Sequence, residues 1–280
     1  MSLVREMPVN AVARHVEVTD TRLWRIVRHY VSKAIAGMNL KDLKAIGLDE
    51  TASKRGHNYI TVFIDLDRSD KPVVFATPGK GKECLTKFCE FIEAHKGRPE
   101  NIVEVACDMS PAFLSAIEQK FKSASVTVDW FHVVQLFTKA VDDVRKLEAR
   151  QSKLPDHTRW AVLKGAETAR TQNQQNALLE LVEQGFATAK WRITHFLKHA
   201  AEYAADCPLL EPVRGALGSV ERHLPRILHR WHSLYTNARL EGFNGLFQAA
   251  RARARGYRNV ENFITMVYLI AAPIQVVVAS

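Results

Sequence analysis

Apolar residues recur at helical spacing from the start of the chain: Val9, Val12, Ala13 and Val16, then Leu23, Ile26 and Val27. That repeat predicts two short helices, Pro8 to His15 and Asp20 to Val31, separated by Val16-Glu17-Val18. Thr19 stands where a helix start needs a side-chain acceptor for its unpaired N–H groups, which marks the second N-terminus. Arg22, Arg25 and Arg28 recur every third residue on that helix. Two short helices with a basic second member form a helix-turn-helix pattern, whose second helix presents Arg and Trp24 towards a groove or a phosphate backbone. A plain helical hairpin with a solvated basic face is the competing reading.

From Leu43 the period shortens. Leu43 to Asp49, Tyr59 to Leu66 and Val73 to Ala76 are β-branched-rich runs bounded by Gly, Asp, Ser and Pro, which predicts three strands joined by hairpin turns. Gly81 to His95 then predicts a helix, Ile102 to Cys107 a strand, Pro111 to Phe121 a helix, Val126 to Trp130 a strand and Phe131 to Arg150 a helix. The order β-β-β-α-β-α-β-α calls for an α/β fold with a mixed sheet flanked by helices, because parallel neighbours need crossover helices. From Leu154 to Tyr235 no strand signal survives, and Ala, Leu, Glu and Gln dominate, with breaks expected at Pro208 and Pro225. An all-α insertion is therefore expected. Asn237 to Arg253 is helical again, with Leu240, Phe243, Leu246, Phe247 and Ala250 on one face. Asn262 to Ser280 is uncharged, but Asn262, Thr265, Pro273 and Gln275 interrupt it, so it predicts a buried terminal helix ending before Pro273 and no membrane span. The expected organisation is a helix-turn-helix segment over residues 1–40, a core over 41–150, the helical insertion over 151–235 and the rest of the core over 236–280.

Composition narrows the partners. The 280 residues are 47% hydrophobic and 25% charged, which excludes disordered and fibrous chains. Formal net charge is +9, and residues 214–258 alone carry +7, with nine Arg, no Lys or Asp, and only Glu221 and Glu241 as acids. Such concentration favours a polyanion such as nucleic acid. Cysteines at 84, 89, 107 and 207 form neither a paired zinc pattern nor a disulfide framework, and no apolar signal segment opens the chain, so a reducing cytoplasm is expected.

Asp49 follows the apolar run Ala45-Ile46-Gly47-Leu48, and Asp108 follows Val103-Glu104-Val105-Ala106-Cys107. If those strands are parallel neighbours, both carboxylates lie at one carboxyl edge of the sheet, where ligands collect. Close carboxylates repel unless cations screen them. Two Mg²⁺ or Mn²⁺ ions roughly 3.5–4 Å apart suit such oxygen ligands and phosphoryl transfer. Glu241, the only acid from Asn237 to Arg258, is the natural third ligand, amid Arg239, Arg251, Arg253, Arg255 and Arg258, which would hold phosphates. Strand-ending turns for the two Asp and helix-dipole stabilisation for Glu241 are the competing readings.

Several motifs occur in order: Ile46-Gly47-Leu48-Asp49-Glu50, Gly56-His57-Asn58-Tyr59, Asp108-Met109-Ser110-Pro111-Ala112-Phe113, Asp129-Trp130-Phe131-His132-Val133-Val134, Asn237-Ala238-Arg239-Leu240-Glu241-Gly242-Phe243-Asn244 and Gly256-Tyr257-Arg258-Asn259. Over almost the whole chain they resemble the DDE transposases of bacterial insertion sequences, specifically the ISL-three group. The resemblance implies a ribonuclease-H-like core with the helical insertion between the second Asp and the Glu, and a catalytic triad of Asp49, Asp108 and Glu241. It further implies hydrolysis at a transposon end followed by attack of the freed 3′-hydroxyl on target DNA, with no covalent enzyme intermediate. Members usually carry a Cys-rich zinc-binding segment upstream of the helix-turn-helix, so a shortened member is expected here. A homodimer on double-stranded DNA follows by analogy. A catalytically silent remnant that only binds DNA, and an endonuclease without strand transfer, are the alternatives.

The resemblance also sets His132 beside the active site as a possible neighbour, with a capping or structural role as the competing reading. His57 is read equally as a surface residue, and His195 with His199 lacks a third ligand. Trp160, Trp191 and Trp231 are read first as core residues and second as platforms for an unpaired base.

Overall fold

The computed structural model describes residues 2–164, 169–184, 186, 208–233 and 235–274. Two compact units are present: Met1–Asp129 with Leu228–Ser280, and Trp130–Ile227.

The first unit is built on a five-stranded sheet of β1 (Ala45–Lys54), β2 (Asn58–Asp65), β3 (Val73–Pro78), β4 (Glu104–Cys107) and β5 (Ser125–Val128), in the order β3-β2-β1-β4-β5. β1 is antiparallel to β2 and parallel to β4, and β4 is parallel to β5. Antiparallel neighbours need only short turns, whereas each parallel step is bridged by a helix, which is why the alternation of elements anticipated this mixed sheet. With helices on both faces this is the ribonuclease-H-like α/β arrangement that the motif order implied.

Helices α1 (Ser2–Glu6), α2 (Val9–His15) and α3 (Asp20–Ala36) open the chain. Thr19 caps α3 as expected, its hydroxyl accepting from the Arg22 N–H at 3.3 Å. α4 (Lys82–Ala94) and α5 (Pro111–Lys120) cover one sheet face, with Leu85, Phe88, Ile92, Phe113 and Ile117 packed on Ile46, Leu48, Phe63 and Val105. The other face carries Ile60, Val62, Ile64 and Val73 under α3 and two C-terminal helices, labelled α10 (Ala238–Arg253) and α11 (Val260–Ala271) after the helices of the second unit below. α11 stops before Pro273, and the Ala76 N–H donates to the Tyr268 hydroxyl at 3.0 Å, pinning α11 to β3.

Within the second unit lie α6 (Trp130–Gln151), α7 (Thr158–Leu163) and α8 (Gln172–Glu183), and α9 (Glu211–Ser233) divides between the units at Leu228. Every regular element among the described residues from 151 to 235 is helical.

Five expectations are corrected. Trp24 does not face outward; it shares the apolar stripe of Val27 and Val31 and meets Tyr257 edge-on, centroids 6.0 Å apart. Pro225 sits inside α9 without ending it, since a proline removes one ladder hydrogen bond and the flanking turns persist. Leu246 is 53% exposed, because the α10 face against the core is the Leu240, Phe247 and Ala250 stripe. Trp160 and Trp231 are exposed at 51% and 60%, so the core reading fails for both. Finally, β1 runs past Asp49 to Lys54, because it keeps pairing with β2 after its pairing with β4 ends. Trp191, His195 and His199 lie outside the described residues.

Candidate functional site

The parallel register pairs Ala45 with Glu104, Ile46 with Val105 and Gly47 with Ala106. Two further steps along that register bring Asp49 level with Asp108, at the point where β4 stops and β1 continues. Sheet parity sets the Asp49 side chain on the face of its cross-strand partner Val62, under α10, and Glu50 with its partner Thr61 on the face towards α4. Each Asp oxygen Oδ1 receives a local backbone N–H: that of Asp49 from Glu50 at 2.8 Å, and that of Asp108 from Ser110 at 2.9 Å. Both carboxylates are half-buried.

Glu241 reaches this edge through the wrapping of α10 on β1. Residues 237, 241, 244, 248 and 251 are spaced 4, 3, 4 and 3 apart and form one polar stripe beside the apolar one. Asn237 donates through Nδ2 to the Leu48 carbonyl at 2.9 Å, Asn244 through Nδ2 to Asp49 Oδ2 at 2.9 Å, and Gln248 through Nε2 to the Ala52 carbonyl at 2.9 Å. Arg251 continues the seam with a bond to the Ala52 carbonyl at 3.1 Å. Glu241 is the stripe position between Asn237 and Asn244, so the fold brings its turn of helix over the segment that carries Asp49.

Asn237 is the anchor of this seam. It is fully buried, and its backbone N–H donates to Asp129 Oδ2 at 2.8 Å, tying the start of α10 to the end of β5. Its side chain lies over Gly47, where an added Cβ would stand 2.6 Å from Asn237 Oδ1. The Gly in Ile46-Gly47-Leu48-Asp49 is therefore the gap into which the Asn at the head of α10 fits.

Electrostatics mark the same edge. Burial, then Asp108, pushes the Glu50 carboxyl above its ordinary 4.5, with Asp49 adding to the rise, while Lys80 opposes it. Lys80 stands between Gly79 and Gly81, its Nζ 5.0 Å from the centre of the Tyr59 ring. Among the described residues no three His, Cys, Asp or Glu side chains converge into a ready-made metal cage. The donor set nevertheless suits a hard divalent cation: carboxylates from adjacent strands, with negative charge in excess at their edge.

The arginines separate into two groups. Arg239 donates to the Ser69 carbonyl at 3.0 Å and Arg253 to the Glu6 carbonyl at 2.7 Å, while Arg251 serves the α10–β1 seam. Those guanidiniums hold backbone in place. Arg255 and Arg258 are exposed beyond the last turn of α10, and Arg22 and Arg25 are exposed on α3, where Arg28 is half-buried. Arg25, Arg28, His29, Ser32 and Lys33 line a shallow open groove along α3. His132 opens α6 in the second unit, and its Nε2 is buried with no hydrogen-bond partner among the described residues. Sequence reasoning missed Asn237, Asn244, Glu50 and Lys80. The stripe spacing carried a signal for the two asparagines, but it gains meaning only once β1 is known to lie beneath.

The chain is similar to known proteins over most of its length. A family described as DDE transposase of ISL3 type matches residues 46–267, and the helix-turn-helix domain of transposase family ISL3 matches residues 1–31. The transposase for insertion sequence element IS1001 from Bordetella parapertussis is 25% identical over 292 aligned positions, covering 93% of this chain and 69% of that relative. The transposase for insertion sequence element IS1557 from Mycobacterium tuberculosis is 31% identical over 128 positions, covering 44% of this chain and 28% of that relative. The chain thus spans only part of the length of either. Among the described residues no helix is long and apolar enough to cross a membrane.

Proposed function

Because the chain belongs to the ISL3 family of DDE transposases, we propose that it cuts phosphodiesters at the ends of an insertion sequence and joins the freed 3′-hydroxyl to target DNA, with Asp49, Asp108 and Glu241 as its catalytic acids. The observation that carries this reading is the seam of α10 on β1, in which Glu241 rides between the Asn237–Leu48 and Asn244–Asp49 bonds while the strand register sets Asp108 beside Asp49. On this reading three acids distant in sequence act together at one carboxyl edge.

Members of this family generally use divalent metal ions. Here the carboxylates of Asp49, Asp108 and Glu241 would hold Mg²⁺ or Mn²⁺, two ions in the proposed mechanism, and the ions would supply Lewis-acid activation and charge neutralisation in phosphoryl transfer. The protein's own part is positioning. Asn237 and Asn244 fix the spacing between α10 and β1, and Lys80 lends positive charge at the rim. Arg22, Arg25 and Arg28 on the helix-turn-helix, with Arg255 and Arg258, are the DNA-phosphate contacts, and two copies of the chain would act together on the paired ends. The proposed organisation keeps a helix-turn-helix over 1–40, a catalytic core from 41–150 and 236–280, and a helical insertion over 151–235.

The test is cleavage of a labelled terminal-repeat duplex with Mg²⁺ or Mn²⁺ by the native chain and by Asp49→Asn, Asp108→Asn and Glu241→Gln. The reading expects metal-dependent cleavage by the native chain and its loss in all three variants. Cleavage that survives the three changes rejects the triad, and binding without cleavage by the native chain favours a protein that only binds DNA.

A further inference from the structure

Asn244 touches a proposed catalytic acid and has no role in the triad. Its Nδ2 donates to Asp49 Oδ2 at 2.9 Å, while Asp49 Oδ1 receives the Glu50 N–H at 2.8 Å. The two donors, one from a side chain and one from the backbone, set the direction in which the carboxylate faces. A carboxylate only accepts, so the amide must turn its nitrogen to Asp49. The Asn244 carbonyl oxygen is then directed elsewhere, and it is buried with no hydrogen-bond partner among the described residues.

Asn237 Oδ1 on the same stripe is likewise buried with no hydrogen-bond partner among the described residues, so what sets Asn244 apart is the carboxylate that its Nδ2 holds. The contrast along the same stripe is instructive. Gln248, one turn further on, donates to both the Thr51 hydroxyl at 2.7 Å and the Ala52 carbonyl at 2.9 Å, and so holds only the strand. Asn244 holds a carboxylate, one helical turn after Glu241.

We propose that Asn244 is a positioning residue of the acidic site, orienting the Asp49 carboxylate for a divalent cation through its side-chain N–H. This rests on the proposed reading of Asp49 as a metal ligand. Groups that orient ligating carboxylates typically change metal affinity or activity by about 10- to 100-fold when removed.

The test is calorimetric titration of the full chain with Mn²⁺ alone, without DNA, comparing native protein, Asp49→Asn, Asn244→Ala, Asn244→Asp and Gln248→Ala, with the thermal midpoint of each recorded. Asn244→Ala is expected to bind Mn²⁺ at least about tenfold more weakly than native with little change in midpoint. Asn244→Asp is expected to bind weakly too, because it has no N–H to offer Asp49, and Gln248→Ala is expected to bind as native. Should Asn244→Ala not fold, Asn244→Ser, which ends short of Asp49, is expected to show the same loss. Native-like affinity in a folded Asn244 variant, or tighter binding by Asn244→Asp, overturns the positioning role while leaving the triad standing if Asp49→Asn has lost the metal. Mn²⁺ affinity unchanged by Asp49→Asn, or no uptake by the native chain, overturns both.

Discussion

Replacing Gly47 with alanine tests the packing that joins the two halves of the proposed site. The backbone of Gly47 lies in ordinary strand conformation, so the effect is one of space alone. An added Cβ would stand 2.6 Å from Asn237 Oδ1, 3.0 Å from Ile64 Cγ1 and 3.1 Å from Leu66 Cδ2. Asn237 cannot swing aside freely, because it is bonded to the Leu48 carbonyl through its side chain and to Asp129 through its backbone. Overpacking of this kind costs about 1–3 kcal/mol, and a buried carbonyl left unpaired if the Asn237–Leu48 bond breaks costs about 1–3 kcal/mol more. Alanine also restricts the unfolded chain, which offsets about 0.4–1 kcal/mol. The expected net loss is about 1–5 kcal/mol, read as a lower urea midpoint with an unchanged slope. In an Asn237→Ala background the shortest clash disappears while those with Ile64 and Leu66 remain, so Gly47→Ala should then cost less, a non-additivity of at least about 1 kcal/mol. A neutral Gly47→Ala, or two changes that simply add, would refute the wedge between β1 and α10.

Two further outcomes are expected. Burial and the neighbouring Asp108 and Asp49 raise the Glu50 carboxyl above 4.5, so the folded state keeps a proton that the unfolded chain has already released; without metal, stability should fall as pH rises from about 4.5 through the folded value, and Glu50→Gln should remove that fall in thermal melts across pH. For DNA binding, Arg25→Ala and Arg255→Ala should lower the slope of log affinity against log salt by about 1 each, whereas Arg239→Ala, whose guanidinium holds the Ser69 carbonyl, should mainly lower thermal stability; equal salt slopes for all three would refute the division of the arginines.

Much of this fold could be read from pattern because alternation and helical spacing report which face is buried. Ile60, Val62 and Ile64 alternate with residues of the opposite face, and Leu240, Phe247 and Ala250 repeat at helical spacing, so β2 and α10 announce themselves. The far end of β1 does not. Asp49-Glu50-Thr51-Ala52-Ser53-Lys54 has little apolar content, and only its backbone pairing with β2 makes it a strand. Trp24 looked like a reader of DNA because a tryptophan between arginines suits a surface role, yet its position on the Val27 and Val31 stripe decides its burial. The three proposed acids stood out as polar residues at expected element ends, although Asp49 lies inside β1. Asn237 and Asn244 were not singled out, since an asparagine on a helix carries chemical meaning only through the strand it touches.

The most direct measurement of the central claim is anomalous diffraction from crystals soaked in Mn²⁺. Manganese scattering is expected within ligand distance of both Asp49 and Asp108, with the Glu241 carboxylate turned to the same ions. Saturating Mn²⁺ with ordered Asp49 and Asp108 side chains and no scatterer between them, or with Glu241 directed away into solvent, would contradict it.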